Sequence, residues 1–102
     1  MSVEINVTGE VVTAYLGGEI DHHNARFMRE EIDNAVNLNM PTLLVLDFKD
    51  VSFMDSSGIG IIIGRYRKIS CFGGKVYGIH ANERITRMLK TSGMHSVIEI
   101  IV

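Results

Sequence analysis

The stretch FMDSSGIGIIIGRY, residues 53–66, limits the possible folds more than any other part of this sequence. Isoleucine and glycine are poor helix formers, so propensity alone favours a strand. The periodicity favours a helix, because at about 100° per residue the apolar side chains gather on one face. That face holds Ile59, Ile62, Ile63, Tyr66 and Ile69. We therefore predict a helix from about Ser57 to Cys71, ended by Gly73.

Strand patterns lie on both sides of this helix. Alternation of apolar and polar residues, or runs of β-branched residues, predicts strands over residues 3–7, 11–16, 42–46, 75–79 and 97–102. Thr8-Gly9-Glu10 is short enough to turn a hairpin between the first two strands. Helical stripes follow Asp21 and Asn82, and both of these residues are good N-caps.

This order of elements predicts the fold class. A chain of 102 residues is typical of one domain, here residues 1–102. Strands that alternate with helices indicate an α/β fold with a small, mixed and mostly parallel sheet flanked by helices. The first two strands form an N-terminal β-hairpin, and the helix over residues 57–71 is the crossover that a parallel pair requires.

Composition excludes several kinds of partner. The net charge is -2 with acids and bases mixed along the chain, so no basic face is predicted for nucleic acid or an anionic membrane. The apolar runs are too short to span a bilayer. Cys71 is the single cysteine, and the N-terminus shows no secretory signal. These features predict a cytoplasmic protein.

The second face of the predicted helix is unusual for a solvent-exposed surface. It holds Gly60, Ile61, Gly64, Arg65 and Lys68. Gly60 and Gly64 are one turn apart and leave the backbone bare, with Ile61 beside them. Two interpretations stay open: a docking surface for a partner, or close packing of another element of the same chain against the glycines.

The start of this helix carries two serines. Asp55, Ser56 and Ser57 can each act as N-cap. The segment also follows a central strand, and open α/β sheets carry their sites at the carboxyl edge. Because a helix N-terminus favours negative charge, a phosphate on Ser56 would be tolerated there. Such a modification would change a surface without unfolding the domain.

Other chemistries fit less well. The P-loop and dinucleotide-binding motifs are incomplete around Gly58, Gly60 and Gly64. A hydrolase triad of serine, His80 and Asp47 can be assembled on paper, but the G-x-S-x-G elbow is missing.

Two further alternatives depend on acidic residues. Asp21-His22-His23 suggests a metal site, yet three adjacent residues cannot all face one ion on a helix. A receiver domain would show an acidic pair after its first strand, and Thr8-Gly9-Glu10 does not match. Asp21 and His22 are better interpreted as a cap and polar surface near Ser56.

Several motifs together resemble one family. FMDSSGIG at residues 53–60 with IGRY at 63–66 resembles the STAS-domain anti-sigma factor antagonists, especially the sporulation type. GEIDHH at residues 18–23 resembles a second motif of that family. LDF at 46–48, VS at 51–52 and FGGK at 72–75 also fit.

The resemblance implies a partner-switching regulator that is not an enzyme and has no cofactor. The unphosphorylated form would bind an anti-sigma factor that is also a serine kinase holding ATP or ADP, and so release a sigma factor. Phosphorylation of Ser56 would inactivate it, and a PP2C-type serine phosphatase would reset it. The alternative is a nucleotide-binding STAS module of a general stress-response pathway.

We predict that the partner surface contains no metal and no catalytic residue. Its predicted residues are Asp21, His22, Asp55, Ser56, Ser57, Gly58, Gly60, Ile61 and Gly64. The free protein is expected to be a monomer. Family members often continue into a further C-terminal helix, whereas this sequence reaches Val102 directly after its last predicted strand.

Overall fold

The computed structural model describes residues 2–101, in which five strands and three α-helices alternate as predicted. The strands are β1 (Ser2–Thr8), β2 (Val11–Ile20), β3 (Leu43–Met54), β4 (Lys75–Ile79) and β5 (Glu99–Ile101). The helices are α1 (Ala25–Asn39), α2 (Ser56–Ser70) and α3 (Glu83–Thr91), and a 3₁₀ turn over Met94–Ser96 precedes β5.

The sheet is mixed and mostly parallel, which confirms the predicted fold class. Its strand order is β1-β2-β3-β4-β5. β1 and β2 are antiparallel, and every later pair is parallel. The hairpin turns through Gly9, whose φ of 59° is accessible to glycine at little cost.

The core lies between the sheet and its helices. α1 packs over β1 and β2, whereas α2 packs over β3 and β4. Alternate residues of the strands point into one apolar cluster with the buried side of each helix. Its largest fully buried side chains include Phe48, Ile20, Met28, Ile32, Leu44, Leu46 and Ile62. Burial of this kind stabilises by roughly 25 cal/mol per Å² of apolar surface.

Strand lengths differ from the prediction at the end that carries the site. β2 continues past Gly17-Gly18 to Ile20, because two shifts of its register with β3 absorb the glycines. β3 continues to Met54. Bulges of this kind redirect the end of a strand. β5 is shorter than predicted, and Val102 lies outside the described residues.

α2 is the helix that its periodicity predicts, but its buried face was predicted wrongly. Ile61 is only 3% exposed and Arg65 only 7%, although both were expected on the open face. The buried residues of the helix are Gly58, Ile61, Ile62, Arg65 and Ile69. The physical reason is that α2 contacts α1 along one flank as well as the sheet beneath it, so its buried arc turns toward α1.

Candidate functional site

The candidate site lies at the carboxyl edge of β2 and β3. Ile20 and Met54 are partners in the parallel register, and the Asp55 N–H donates to the Ile20 carbonyl over 3.0 Å. Asp21 and Asp55 therefore leave the sheet side by side. This confirms the expectation that the two segments meet at one edge.

Asp55 is the N-cap of α2. Its carboxylate accepts a 2.8 Å hydrogen bond from the Ser57 N–H, and its carbonyl accepts from the Gly58 N–H over 3.0 Å. These contacts fix where the helix begins. Of the three candidate caps in the sequence, the structure selects Asp55, and neither serine is needed for capping.

The two serines differ in accessibility. Ser56 is exposed on the first turn of α2, whereas Ser57 is half-buried. The Ser56 side chain is therefore more accessible to solvent than that of Ser57. The positive end of the helix dipole favours an anion there, and the Asp55 carboxylate opposes it.

Asp21 makes the predicted capping contacts, but it makes them in the turn that leads into α1. Its carboxylate accepts from the N–H groups of His23 (2.9 Å) and Asn24 (3.1 Å). α1 itself begins later than predicted, at Ala25, and its N-cap residue Asn24 makes no side-chain capping bond. The two bonds to Asp21 hold the tight turn between β2 and α1, where the exposed His22 ring lies tilted at 38° to that of His23, with 3.9 Å between the ring centroids.

Gly60 is exposed and Gly64 is half-buried, and neither is packed against another element. A Cβ atom placed on either residue would meet no atom within 4 Å outside its own helix turn and chain neighbours. The fold therefore does not require glycine at these positions, and close packing of another element against them is excluded for residues 2–101. The remaining interpretation is an open surface that suits the approach of a partner.

Gly58 has the opposite character. A Cβ there would overlap Cγ and Sδ of the buried Met54 and would lie 3.4 Å from Cγ2 of Ile20. Gly58 thus allows the helix to sit against the ends of β2 and β3. Its predicted role in partner contact is wrong, as is that of Ile61, because both residues are buried on the side of α2 that faces α1 and the sheet.

Phe53 is a candidate that the sequence reasoning missed. It lies opposite Glu19 at the same edge of the sheet, and its side chain is 42% exposed. No regular alternation marks it, because the end of β3 runs buried, exposed, exposed, buried from Val51 to Met54. We define the carboxyl-edge surface by seven residues: Asp21, His22, Phe53, Asp55, Ser56, Gly60 and Gly64.

An ion pair holds α2 against α1. Arg65 Nε lies 2.9 Å from Asp33 Oδ1, but the N–H does not point at the oxygen, so the contact is not an aligned hydrogen bond. Burial lowers the pKa of Arg65, and the Asp33 carboxylate partly opposes that shift. Lys68 Nζ approaches the same oxygen at 3.9 Å.

The structure brings Asp47 and His80 together away from the carboxyl-edge surface. His80 Nδ1 lies 3.1 Å from Asp47 Oδ1, and the Lys49 N–H donates to that oxygen over 2.9 Å. His80 has a φ of 59°, an uncommon conformation for a residue with a side chain. Within the described chain, no serine hydroxyl hydrogen-bonds to His80, so no hydrolase triad forms.

Residues 2–101 contain neither a metal-binding cluster nor a membrane-spanning helix. No three His, Cys, Asp or Glu side chains are placed to hold one metal ion. None of the described helices has the length and apolar character needed to cross a membrane.

Comparisons with known proteins agree on one family. The profile of the STAS domain matches residues 2–101. The anti-sigma F factor antagonist of Paenibacillus polymyxa is 34% identical over 100 residues, which cover 98% of this chain and 86% of that protein.

Solved structures agree with this match. The anti-sigma factor antagonist SpoIIAA in its unphosphorylated form has a TM-score of 0.85 and 28% identity, and the match covers 99% of this chain and 89% of that one. The phosphorylated form of the Bacillus cell fate determinant SpoIIAA has a TM-score of 0.77 at 28% identity, and the coverage is 99% and 92%.

Proposed function

This chain belongs to the STAS domain family, and we propose that it is an anti-sigma factor antagonist controlled by phosphorylation of Ser56. In its unphosphorylated form it binds an anti-sigma factor through the carboxyl-edge surface. That binding displaces a sigma factor from the anti-sigma factor. The protein itself performs no catalysis and uses no cofactor.

One observation carries this proposal. The exposed Ser56 stands one turn before the bare backbone of Gly60, on the same side of α2. Glycine in an exposed helix costs roughly 0.5–1 kcal/mol relative to alanine, so its presence without an internal packing reason points to an external contact. A modifiable group beside a smooth contact surface is what a reversible docking switch requires.

Phosphorylation weakens docking by charge and desolvation. A phosphate adds about −1.5 to −2 charge beside Asp55. Burying this dianion against a partner without matching cations costs several kcal/mol. Even about 4 kcal/mol lowers affinity roughly a thousandfold. The existence of a structural relative in both unphosphorylated and phosphorylated forms supports this step.

The partners follow from the chemistry of the switch. The anti-sigma factor acts as the serine kinase and holds ATP or ADP when this protein binds it. A PP2C-type serine phosphatase removes the phosphate and restores binding. The cycle takes place in the cytoplasm, where ATP and a sigma factor are both present.

Phosphorylation in vitro tests the proposal. The protein is incubated with the anti-sigma factor kinase of its own organism and ATP, and the products are mapped by mass spectrometry. We expect one phosphate, on Ser56. Ser56→Ala should bind the kinase without being modified, while Ser57→Ala, the matched control, should be phosphorylated like the natural protein.

Binding measurements test whether negative charge at Ser56 weakens binding, which is a separate question from which serine is phosphorylated. Ser56→Asp should bind the kinase at least about tenfold more weakly than the natural protein, because it adds one negative charge to the interface. Phosphate on Ser57 would overturn the site assignment. Unchanged binding of Ser56→Asp would contradict the electrostatic mechanism.

A further inference from the structure

β1 forms an unprotected edge of the sheet. Within residues 2–101, β2 is its one strand neighbour, and the register between them runs without a bulge from Ser2–Gly17 to Thr8–Val11. The strand contains no lysine and no proline, the residues that usually protect such an edge. A row of backbone donors and acceptors therefore faces outward.

The hairpin determines which backbone groups face outward. A two-residue turn makes Thr8–Val11 a hydrogen-bonded pair, and such pairs alternate along an antiparallel ladder. The N–H and C=O groups of Val3, Ile5 and Val7 therefore point away from β2. The same three side chains lie on the helix-covered side and remain partly exposed, Val7 by 44%.

β1 is complementary to itself in one antiparallel register. With Ile5 opposite Ile5 of a second copy, Val3 lies opposite Val7 and Glu4 lies opposite Asn6. All three outward-facing residues then join hydrogen-bonded pairs. The one charged side chain of the strand faces a neutral amide that can donate to it, so no like charges are opposed.

α1 supplies an independent apolar flank above this edge. Asp33 faces α2 through its pair with Arg65, and Leu38 lies about 140° further round the helix, at 100° per residue. Because α1 lies over β1 and β2, the Leu38 side faces outward over β1. Leu38 is 84% exposed there, and Phe27, on nearly the same side, is 45% exposed.

Pairing of the two β1 strands would also place the two α1 helices at a distance that suits helix packing. Strands lie about 4.8 Å apart, so two-fold pairing through β1 brings the two α1 helices about 10 Å apart on the same side of one continuous sheet. Helices pack at about this distance. The helices run antiparallel, which turns the Leu38 end of each toward the Phe27 end of the other.

We propose that the occupant of this edge is a second copy of the same chain, which pairs β1 with β1 about Ile5 and packs α1 against α1. The interface is small, since one strand and one helix flank contribute to it, so the dimer is weak and forms at high protein concentration. This inference departs from the monomer that the sequence predicts and does not depend on the proposed function. The part of the carboxyl-edge surface that lies on α2, with Ser56, Gly60 and Gly64, is separated from β1 by α1 and stays open.

Opposite charge changes at Asn6 test the register. Sedimentation equilibrium from about 10 µM to 1 mM should show the natural protein moving from monomer toward dimer. Asn6→Glu places two like-charged pairs in each dimer, so association should fall about tenfold. Asn6→Lys places lysine opposite Glu4 twice, so association should rise several-fold.

The matched controls are Asn37→Glu and Asn37→Lys, which make the same charge changes at an exposed position of α1. They should leave association unchanged, whereas Leu38→Ser should weaken it without altering β1. Circular dichroism confirms that each variant is folded. A natural protein that stays monomeric up to 1 mM would overturn the proposal, as would Asn6→Glu and Asn6→Lys shifting association in the same direction.

Discussion

The glycines of α2 serve two different purposes. Gly58 is required by the protein's own packing, because a side chain there would overlap Met54. Gly60 and Gly64 have open space beside them and are not required by the fold. Residues of the same type within one helix therefore separate into one position that the packing requires and two that it does not.

Alanine substitution at Gly60 should separate stability from binding. The change removes backbone freedom from an exposed helix position and adds no clash, so the free energy of unfolding should rise by roughly 0.5–1 kcal/mol. The added methyl group should weaken binding to the anti-sigma factor. Urea unfolding and titration calorimetry measure the two effects.

Gly58→Ala is the contrasting variant. It should lower the free energy of unfolding by roughly 1–3 kcal/mol, because Met54 has to move within a filled core. If Gly60→Ala were destabilising, or bound the anti-sigma factor as well as the natural protein, the glycine surface would not be a docking surface.

At the level of elements, a buried charged pair lies at the contact between α2 and α1. Arg65 is buried at the contact, and Asp33 of α1 supplies its nearest carboxylate. Burial removes water from the charged guanidinium, and this desolvation lowers the pKa of Arg65. The Asp33 carboxylate partly opposes that shift.

Removal of the two partners should have unequal effects. Asp33→Asn leaves a buried guanidinium without a carboxylate and should cost about 1–3 kcal/mol of unfolding free energy. Arg65→Met should cost less, because Asp33 is partly exposed and Lys68 stays near it. Chemical denaturation measures both variants.

The exposed pair Arg26–Glu30 provides the control, at 3.0 Å on the surface of α1. Glu30→Gln should change stability by less than about 0.5 kcal/mol. Equal effects of Asp33→Asn and Glu30→Gln would contradict the role given to the buried pair.

At the level of the whole molecule, the switch should act on a surface and leave the fold intact. Ser56 is exposed and makes no capping bond, so a negative charge there disturbs no core contact. The helix dipole favours that charge and Asp55 opposes it. The two effects partly cancel in the free protein.

Ser56→Asp should therefore unfold cooperatively at nearly the same temperature as the natural protein. A helix-terminus charge is worth at most about 1 kcal/mol at an exposed site, which corresponds to a Tm shift of roughly 4–8 °C or less in a domain of this size. Differential scanning calorimetry measures it. A non-cooperative transition would mean that the switch works by unfolding instead of by altered docking.

Local patterns were sufficient for the order and type of the elements. The 3.6-residue period of residues 57–71 established α2 despite its glycines, and Asn82 and Gly9 marked a helix start and a turn where the structure has them. Such signals come from neighbouring residues, so a single sequence contains them. The order of these elements then predicted the parallel sheet and the position of Asp21 near Ser56 at one edge of it.

Only the tertiary structure decided what each position of α2 faces. Ile61 and Arg65 were expected to be exposed, but α1 lies beside the helix and covers them. Gly58 meets Ile20, which is 38 positions earlier in the chain, while Gly60 meets nothing. Whether a residue is buried depends on contacts between elements that are distant in sequence. The periodicity of a helix shows which residues share a face, but it does not show which neighbouring element that face will contact.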